Sequence, residues 1–365
     1  MPPIQTDHKR YFGIILVFVL SFSLRMYAII FTVIDGPIRA DASDYYKYAL
    51  NLKYHQTFSR QDIKEGGLEP DAVRSPGYPV FLIPFVKHPP TDAMLFRINM
   101  VQSLLDSICV TLAYGIFRYF IPAPLAFAGS MLIAFSPHLI SMNTYLLTET
   151  LFTFLMILFL WLTVKAFANN NKAISFITGL VLAFAVLTRP ALQYFIIPLA
   201  ALLFYRNSLR PALRLVIPLV LGFLIIISPW VLRNLSITGN VSDPTLALST
   251  IHHGIYPDFT YNDLPASRGI PYRFDPNSSK ISESYETILS EITRRFKEEP
   301  YRHLKWYLID KPITFFSWYI IAGMGDVFIY PAKQSPYFNN RVFIASHAFM
   351  KSIHWPLVIL ALITS

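Results

Sequence analysis

The chain has 365 residues, of which 54% are apolar and only 15% charged. Soluble domains carry about 25% charged residues, so the composition excludes a water-exposed body of this size and indicates a membrane protein. The formal net charge of +9 does not signal nucleic-acid binding, because the basic residues stand singly at the ends of apolar segments and form no stripe along which a phosphate backbone could run.

A bilayer-crossing helix takes about 20 mostly apolar residues. Apolar stretches of this kind occupy 11–34, 95–120, 124–140, 147–168, 173–187, 190–205, 213–232, 313–330 and 343–363. The expected fold is an all-α membrane protein of about nine transmembrane helices, a single polytopic domain over 1–365. Two long loops interrupt it, 35–94 and 234–312. The 11–34 stretch is too long for the apolar core of a cleaved signal peptide, and the small-residue sequence Ala40-Asp41-Ala42 lies well past its end. The fifth and sixth segments are separated only by Thr188-Arg189-Pro190, so they form a tight hairpin or one long broken helix. The one cysteine, Cys109, sits in an apolar segment and excludes both an internal disulfide and a multi-cysteine metal site.

Counting through alternate loops, Lys9, Arg10, Arg118, Lys172, Arg206, Arg210, Arg214, Lys333 and Arg341 collect on one side. The positive-inside bias makes that side cytoplasmic. The expected arrangement is a multi-pass protein of the plasma (inner) membrane with a cytoplasmic N-terminus and both long loops extracytoplasmic.

Ionisable residues in or beside spans are costly and commonly mark function. In chain order the first is Arg25, inside the first span, which reaches the outer interface or pairs with a carboxylate. The first outer loop opens with 40–52, where Tyr45, Tyr48, Ala49 and Leu52 recur at helical spacing and predict an amphipathic helix in the interface plane. Asp41 and Asp44 lie at its start, and Arg74-Ser75-Pro76-Gly77-Tyr78-Pro79 turns the chain into a short apolar segment, 80–86. Glu149 opens the fourth span, Arg189 closes the fifth and Arg233 closes the seventh. The second long loop adds His252 and His253 and a predicted helix over 285–299. By the topology, all of these except Arg25 fall on the outer face. Each also has a plainer role: Arg189 and Arg233 as anchors snorkelling to the interface, and Glu149 as a carboxylate favoured by the helix dipole. The adjacent histidines do not point at one metal ion, but a loop pair of this kind suits a phosphate.

Asp41 four residues ahead of Tyr45, then Ala49 and Leu52, then Arg74-x-Pro76-Gly77-Tyr78-Pro79, resembles the polytopic glycosyltransferases of the GT-C fold. The likeness is to the protein-mannosyltransferase and aminoarabinose-transferase type, with Thr148-Glu149, Thr188-Arg189-Pro190 and Pro229-Trp230 before Arg233-Asn234 in the same order. The resemblance implies inverting transfer of a sugar from a polyprenyl-phosphate donor to an extracytoplasmic acceptor, whether lipid, glycan or protein. It implies a general base at Asp41, with Asp44 as runner-up. The leaving lipid phosphate calls for positioned cations, for which Arg189 and Arg233 lead, ahead of Arg74, His252 and His253. Tyr45, Tyr78, Glu149 and Arg25 take supporting places. No cofactor and no metal are expected; a metal would have to draw on Asp41, Asp44 and Glu149. The alternatives are a transporter or flippase of lipid-linked sugars, for which internal repeats would be expected, and a non-catalytic membrane scaffold.

Overall fold

In the computed structural model, the structure describes residues 8–62, 67–206, 208–321 and 323–364. The side chains of Lys9 and Arg10, on which the sequence orientation partly rests, lie outside the described side chains. The chain divides into two compact units, one comprising Met1–Val241 with Lys333–His347 and the other Ser242–Ala332 with Ala348–Ser365.

The first unit begins with α1 (His8–Phe31), α2 (Asp41–His55), α3 (Gly77–Leu82) and α4 (Asp92–Phe120). It continues through α5 (Ala123–Ala134), α6 (Pro137–Met142), α7 (Glu149–Asn169), α8 (Lys172–Thr188), α9 (Ile196–Arg206) and α10 (Leu209–Thr238). The helix starts are written locally. The Thr91 hydroxyl accepts from the Met94 amide at 3.2 Å to cap α4, and the Asn171 side chain accepts from Ala173 and Ile174 to cap α8. In α2, Asp41 and Asp44 lie in the first turn and Lys53 and His55 in the last, which suits the helix dipole at both ends.

The bundle packs through small residues. A Cβ on Gly179 of α8 would stand 2.0 Å from the Leu219 carbonyl oxygen of α10, and one on Gly222 would stand 2.2 Å from the Phe176 carbonyl oxygen. One turn before Gly179, the Ser175 hydroxyl donates to the Leu215 carbonyl at 2.6 Å. Helices in lipid associate through such close backbone approach, because burial of apolar surface gives them no advantage over lipid tails. Leu182, Ala183 and Val186 of α8 share a buried cluster with Leu199 of α9. A 3-10 turn at Pro190–Leu192 separates α8 from α9, and α9 packs on α10, where its Leu203 joins Leu215 and Val216 in a buried cluster.

The second unit contains α11 (Thr245–His253), α12 (Ser278–Ile281), α13 (Tyr285–Glu298), α14 (Pro300–Lys305) and α15 (Lys311–Phe315). Leu248, Ile255, Tyr256, Ile281 and Ile288 form its small core. The helix expected over 285–299 is present as α13, opened by a capping box between Ser284 and Thr287. Two further helices follow in sequence, α16 (Pro336–Asn339) and α17 (Arg341–Thr364).

Among the described residues, five helices are long and apolar enough to cross a membrane: Phe12–Phe31 of α1, then α4, α7, α10 and α17. Three shorter apolar helices, Ala123–Ala134, Lys172–Thr188 and Pro190–Arg206, accompany them. The molecule is thus a helical membrane protein, but the expected span over 313–330 is not a helix. α15 ends at Phe315, and Gly325 and Asp326 beyond it take left-handed φ values of 85° and 50°. The indole of Trp318 donates to the Asp326 carboxylate and closes this turn. Phe, Trp and Ile supply the hydropathy of the segment, while Gly323, Gly325 and Asp326 make continued helix unfavourable.

Candidate functional site

The end of the first unit where α2 and α3 sit gathers most of the charged residues singled out from the sequence. Asp41 and Asp44 are one turn apart on α2, and Arg74 reaches both. Its Nη2 donates to Asp41 Oδ1 at 2.6 Å and to Asp44 Oδ2 at 2.9 Å, and its Nε donates to Asp44 Oδ2 at 3.1 Å. Arg60 approaches Asp44 at 3.9 Å. The Asp41 side chain is 55% exposed against 25% for Asp44, and Asp41 Oδ2 accepts no hydrogen bond among the described residues. Asp44 Oδ1 is likewise without a hydrogen bond among the described residues, so what distinguishes Asp41 is its greater exposure.

Glycine brings a second charge pair alongside. A Cβ on Gly77, the first residue of α3, would fall 2.6 Å from the Thr188 hydroxyl and 2.7 Å from its amide. Only glycine lets α3 start against the end of α8, and the next residue on α8's side is Arg189. Arg189 Nη1 donates to Glu149 Oε1 at 2.8 Å, joining the end of α8 to the start of α7. The Thr148 hydroxyl donates to Glu149 Oε2 at 3.3 Å. Tyr45 stands between the two pairs, with the Arg74 guanidinium 5.3 Å from its ring centre and the Tyr78 ring edge-on at 5.3 Å. Burial raises the Tyr45 hydroxyl above its ordinary pKa, and the charge of Arg74 only partly opposes this. The phenol stays neutral and acts as a donor and acceptor rather than a base.

Arg233 lies on the same end of the bundle but is engaged with backbone. Its Nη1 donates to the Asp71 carbonyl at 2.7 Å, its Nη2 to the Phe58 carbonyl at 3.3 Å, and its guanidinium rests over the Phe58 and Trp230 rings. It ties the first loop to α10. Tyr48 stacks on Phe58 and its hydroxyl bonds the Asp71 carboxylate, with burial first and that bond second raising its pKa. The predicted stripe is therefore a packing face, since Tyr45, Tyr48 and Ala49 are all buried.

Arg25 stays inside the bundle and takes the second of its two expected roles. Fully buried, it donates from Nε to Asp106 Oδ2 at 2.6 Å and from Nη1 to the Ala134 carbonyl at 3.1 Å. Asn143 also donates to Asp106 Oδ2, at 2.8 Å. Gln102, one turn before Asp106 on α4, accepts from the Tyr78 hydroxyl at 2.7 Å and donates to the Asn143 and Tyr145 carbonyls. A polar chain thus runs from the α3 residue beside Tyr45 into the bundle core. Sequence reasoning missed Asp106 and Gln102, although two polar residues four apart within an apolar span were a visible signal.

In the second unit, His252 is buried and its Nε2 lies 2.8 Å from the Tyr256 hydroxyl, which donates to Asp275 Oδ2 at 2.7 Å. The single hydroxyl proton goes to the carboxylate, so His252 carries its own proton on Nε2. His253 packs edge-on against Phe259 and Tyr272. Burial lowers the pKa of both histidines. Among the described residues, no group of three or more His, Cys, Asp or Glu is placed to hold a metal ion.

The described residues thus form a helical membrane bundle with carboxylates, arginines and tyrosines gathered at one end. Consistent with this, residues 91–232 match the family model of dolichyl-phosphate-mannose-protein mannosyltransferases, which bears out the resemblance stated above. The match covers less than half of the chain; it takes in Asp106, Glu149 and Arg189 and leaves Asp41, Asp44, Arg74 and Arg233 outside. No curated protein matches the chain.

Proposed function

We propose that the chain is an inverting glycosyltransferase that takes a sugar from a polyprenyl-phosphate donor and passes it to an acceptor outside the cytoplasm. The observation that carries this reading is the Asp41–Arg74–Asp44 group lying beside the Glu149–Arg189 pair at one end of the bundle. Lys172, Arg118, Arg210 and Arg214 lie at the other ends of helices α8, α4 and α10, which supports an extracytoplasmic place for the site, whereas Lys333, expected on the cytoplasmic side, pairs at 2.8 Å with Asp35 of the first long loop.

Asp41 acts as general base, taking the acceptor hydroxyl proton as that oxygen bonds to the anomeric carbon from the face opposite the phosphate. The bond from the anomeric carbon to the phosphate oxygen breaks, and the polyprenyl phosphate leaves as an anion. Arg189 meets that charge: one nitrogen is held by Glu149 while the rest of its fork is uncommitted among the described residues. Arg74 fixes the two carboxylates in register and adds positive charge, and Arg233 holds the loop that carries them. Tyr45 and Tyr78 lie buried beneath this end of the bundle and support it, Tyr45 under the Arg74 guanidinium and Tyr78 through its bond to Gln102. His252 and Arg25 serve packing networks, the one in the second unit and the other in the bundle core.

The test in cells is mass analysis of polyprenyl-phosphate lipids after deletion of the gene. A transferase predicts that one sugar-bearing polyprenyl phosphate accumulates and is cleared by the wild-type chain but not by Asp41→Asn. An unchanged lipid pool would contradict it.

A further inference from the structure

The second unit contains a cleft of about 770 Å³ that none of the transfer chemistry uses. Its size falls in the range of ligand pockets, roughly 300–1,000 Å³, but its walls are polar. Glu286, Glu291 and Glu298 of α13 face it together with Arg294, Arg295 and Arg302, and Tyr261 offers an aromatic surface. The floor is built rather than incidental. Asp275 and Arg295 are both largely buried, 3.5 Å apart. The Tyr256 hydroxyl donates to Asp275, and the Arg295 guanidinium rests over the Tyr256 ring at 4.7 Å. Buried charges are costly unless paired and bonded, so this floor is a fixed feature of the fold.

We propose that this cleft binds a neutral saccharide, the glycan portion of the acceptor, an inference that rests on the transferase reading above. Carboxylates and cations line it in nearly equal number, so it exerts little net attraction on a polyanion or a polycation. Carboxylates only accept hydrogen bonds and guanidinium groups only donate them, while each sugar hydroxyl does both. A wall that alternates the two satisfies neighbouring hydroxyls of a sugar ring, and a tyrosine face suits the apolar side of the ring. A lipid tail or an apolar peptide would leave those charges desolvated.

The experiment uses the full chain in detergent on an array of neutral oligosaccharides, with sulfated counterparts as contrast. Arg294→Gln and Glu298→Gln are the test variants: both remove the exposed Arg294–Glu298 pair, and Glu291, which also loses Arg294 in the first, keeps Arg295. The expected result is binding to neutral saccharides that weakens about tenfold in either variant. Absence of saccharide binding, preference for the sulfated set, or equal binding by the variants overturns the inference. Because binding is read without transfer, its failure leaves the transferase reading standing. Conversely, saccharide binding by a chain that transfers no sugar would count against the transferase alone.

Discussion

Asp41 and Asp44 differ by one helical turn, yet their surroundings differ. Asp44 Oδ2 accepts twice from Arg74, whereas Asp41 accepts once and is the more exposed. Asp41→Asn is therefore expected to reduce transfer by about 10²–10⁴-fold, the usual share of a general base, with Asp44→Asn costing less; initial rates on the purified variants check the order. Arg74→Lys is expected to lower transfer as well, because a single ammonium group does not reproduce a fork that bridges two carboxylates. Restoration of the wild-type rate by lysine would contradict the positioning role. These residues were legible from the sequence because each stands in a short motif beside a span. The partner of Arg25 was not. Pairing across 81 residues is set by how α1 and α4 pack, and no local pattern encodes it. Removing one partner of a buried pair typically costs about 3–5 kcal/mol. Asp106→Leu should thus lower the detergent melting temperature sharply, and Arg25→Met added to it should recover part of the loss.

At the scale of elements, hydropathy located α1, α4, α7, α10 and α17 because lipid-facing helices must be apolar throughout. It failed at 313–330, where the apolar residues belong to a chain that turns at Gly325 and Asp326. The contact between α8 and α10 was likewise hidden, since a glycine in a span gives no direction. Here Gly179 and Gly222 let the two backbones touch. Gly179→Ala and Gly222→Ala should each destabilise the bundle although alanine is the better helix former. Thermal unfolding in detergent measures this, and an unchanged or higher melting temperature in both variants would show that α8 and α10 do not approach so closely.

At the scale of the whole molecule, the second unit carries an acid response of its own. Burial holds His252, His253 and His303 of the second unit below their ordinary pKa of 6.5. These histidines stay neutral in the fold but gain protons in the unfolded chain once the pH falls below that value. The stability they contribute is complete above about pH 6.5 and is lost as the pH falls from there toward the lowered folded values. The protection of 242–332 against hydrogen exchange, measured relative to the intrinsic rate at each pH, should fall over that window, and His252→Gln should shrink the effect; protection independent of pH would contradict the burial of these rings. The division into two units lies beyond residue patterns, for it depends on which helices assemble. The central claim is that the Asp41 end of the bundle performs sugar transfer. It is tested most directly by reconstituting the purified chain in vesicles with a radiolabelled polyprenyl-phosphate sugar and a crude acceptor extract. The account predicts label in the acceptor with wild type and almost none with Asp41→Asn. Label that crosses the bilayer still attached to its lipid, or transfer that survives both Asp41→Asn and Asp44→Asn, would contradict it.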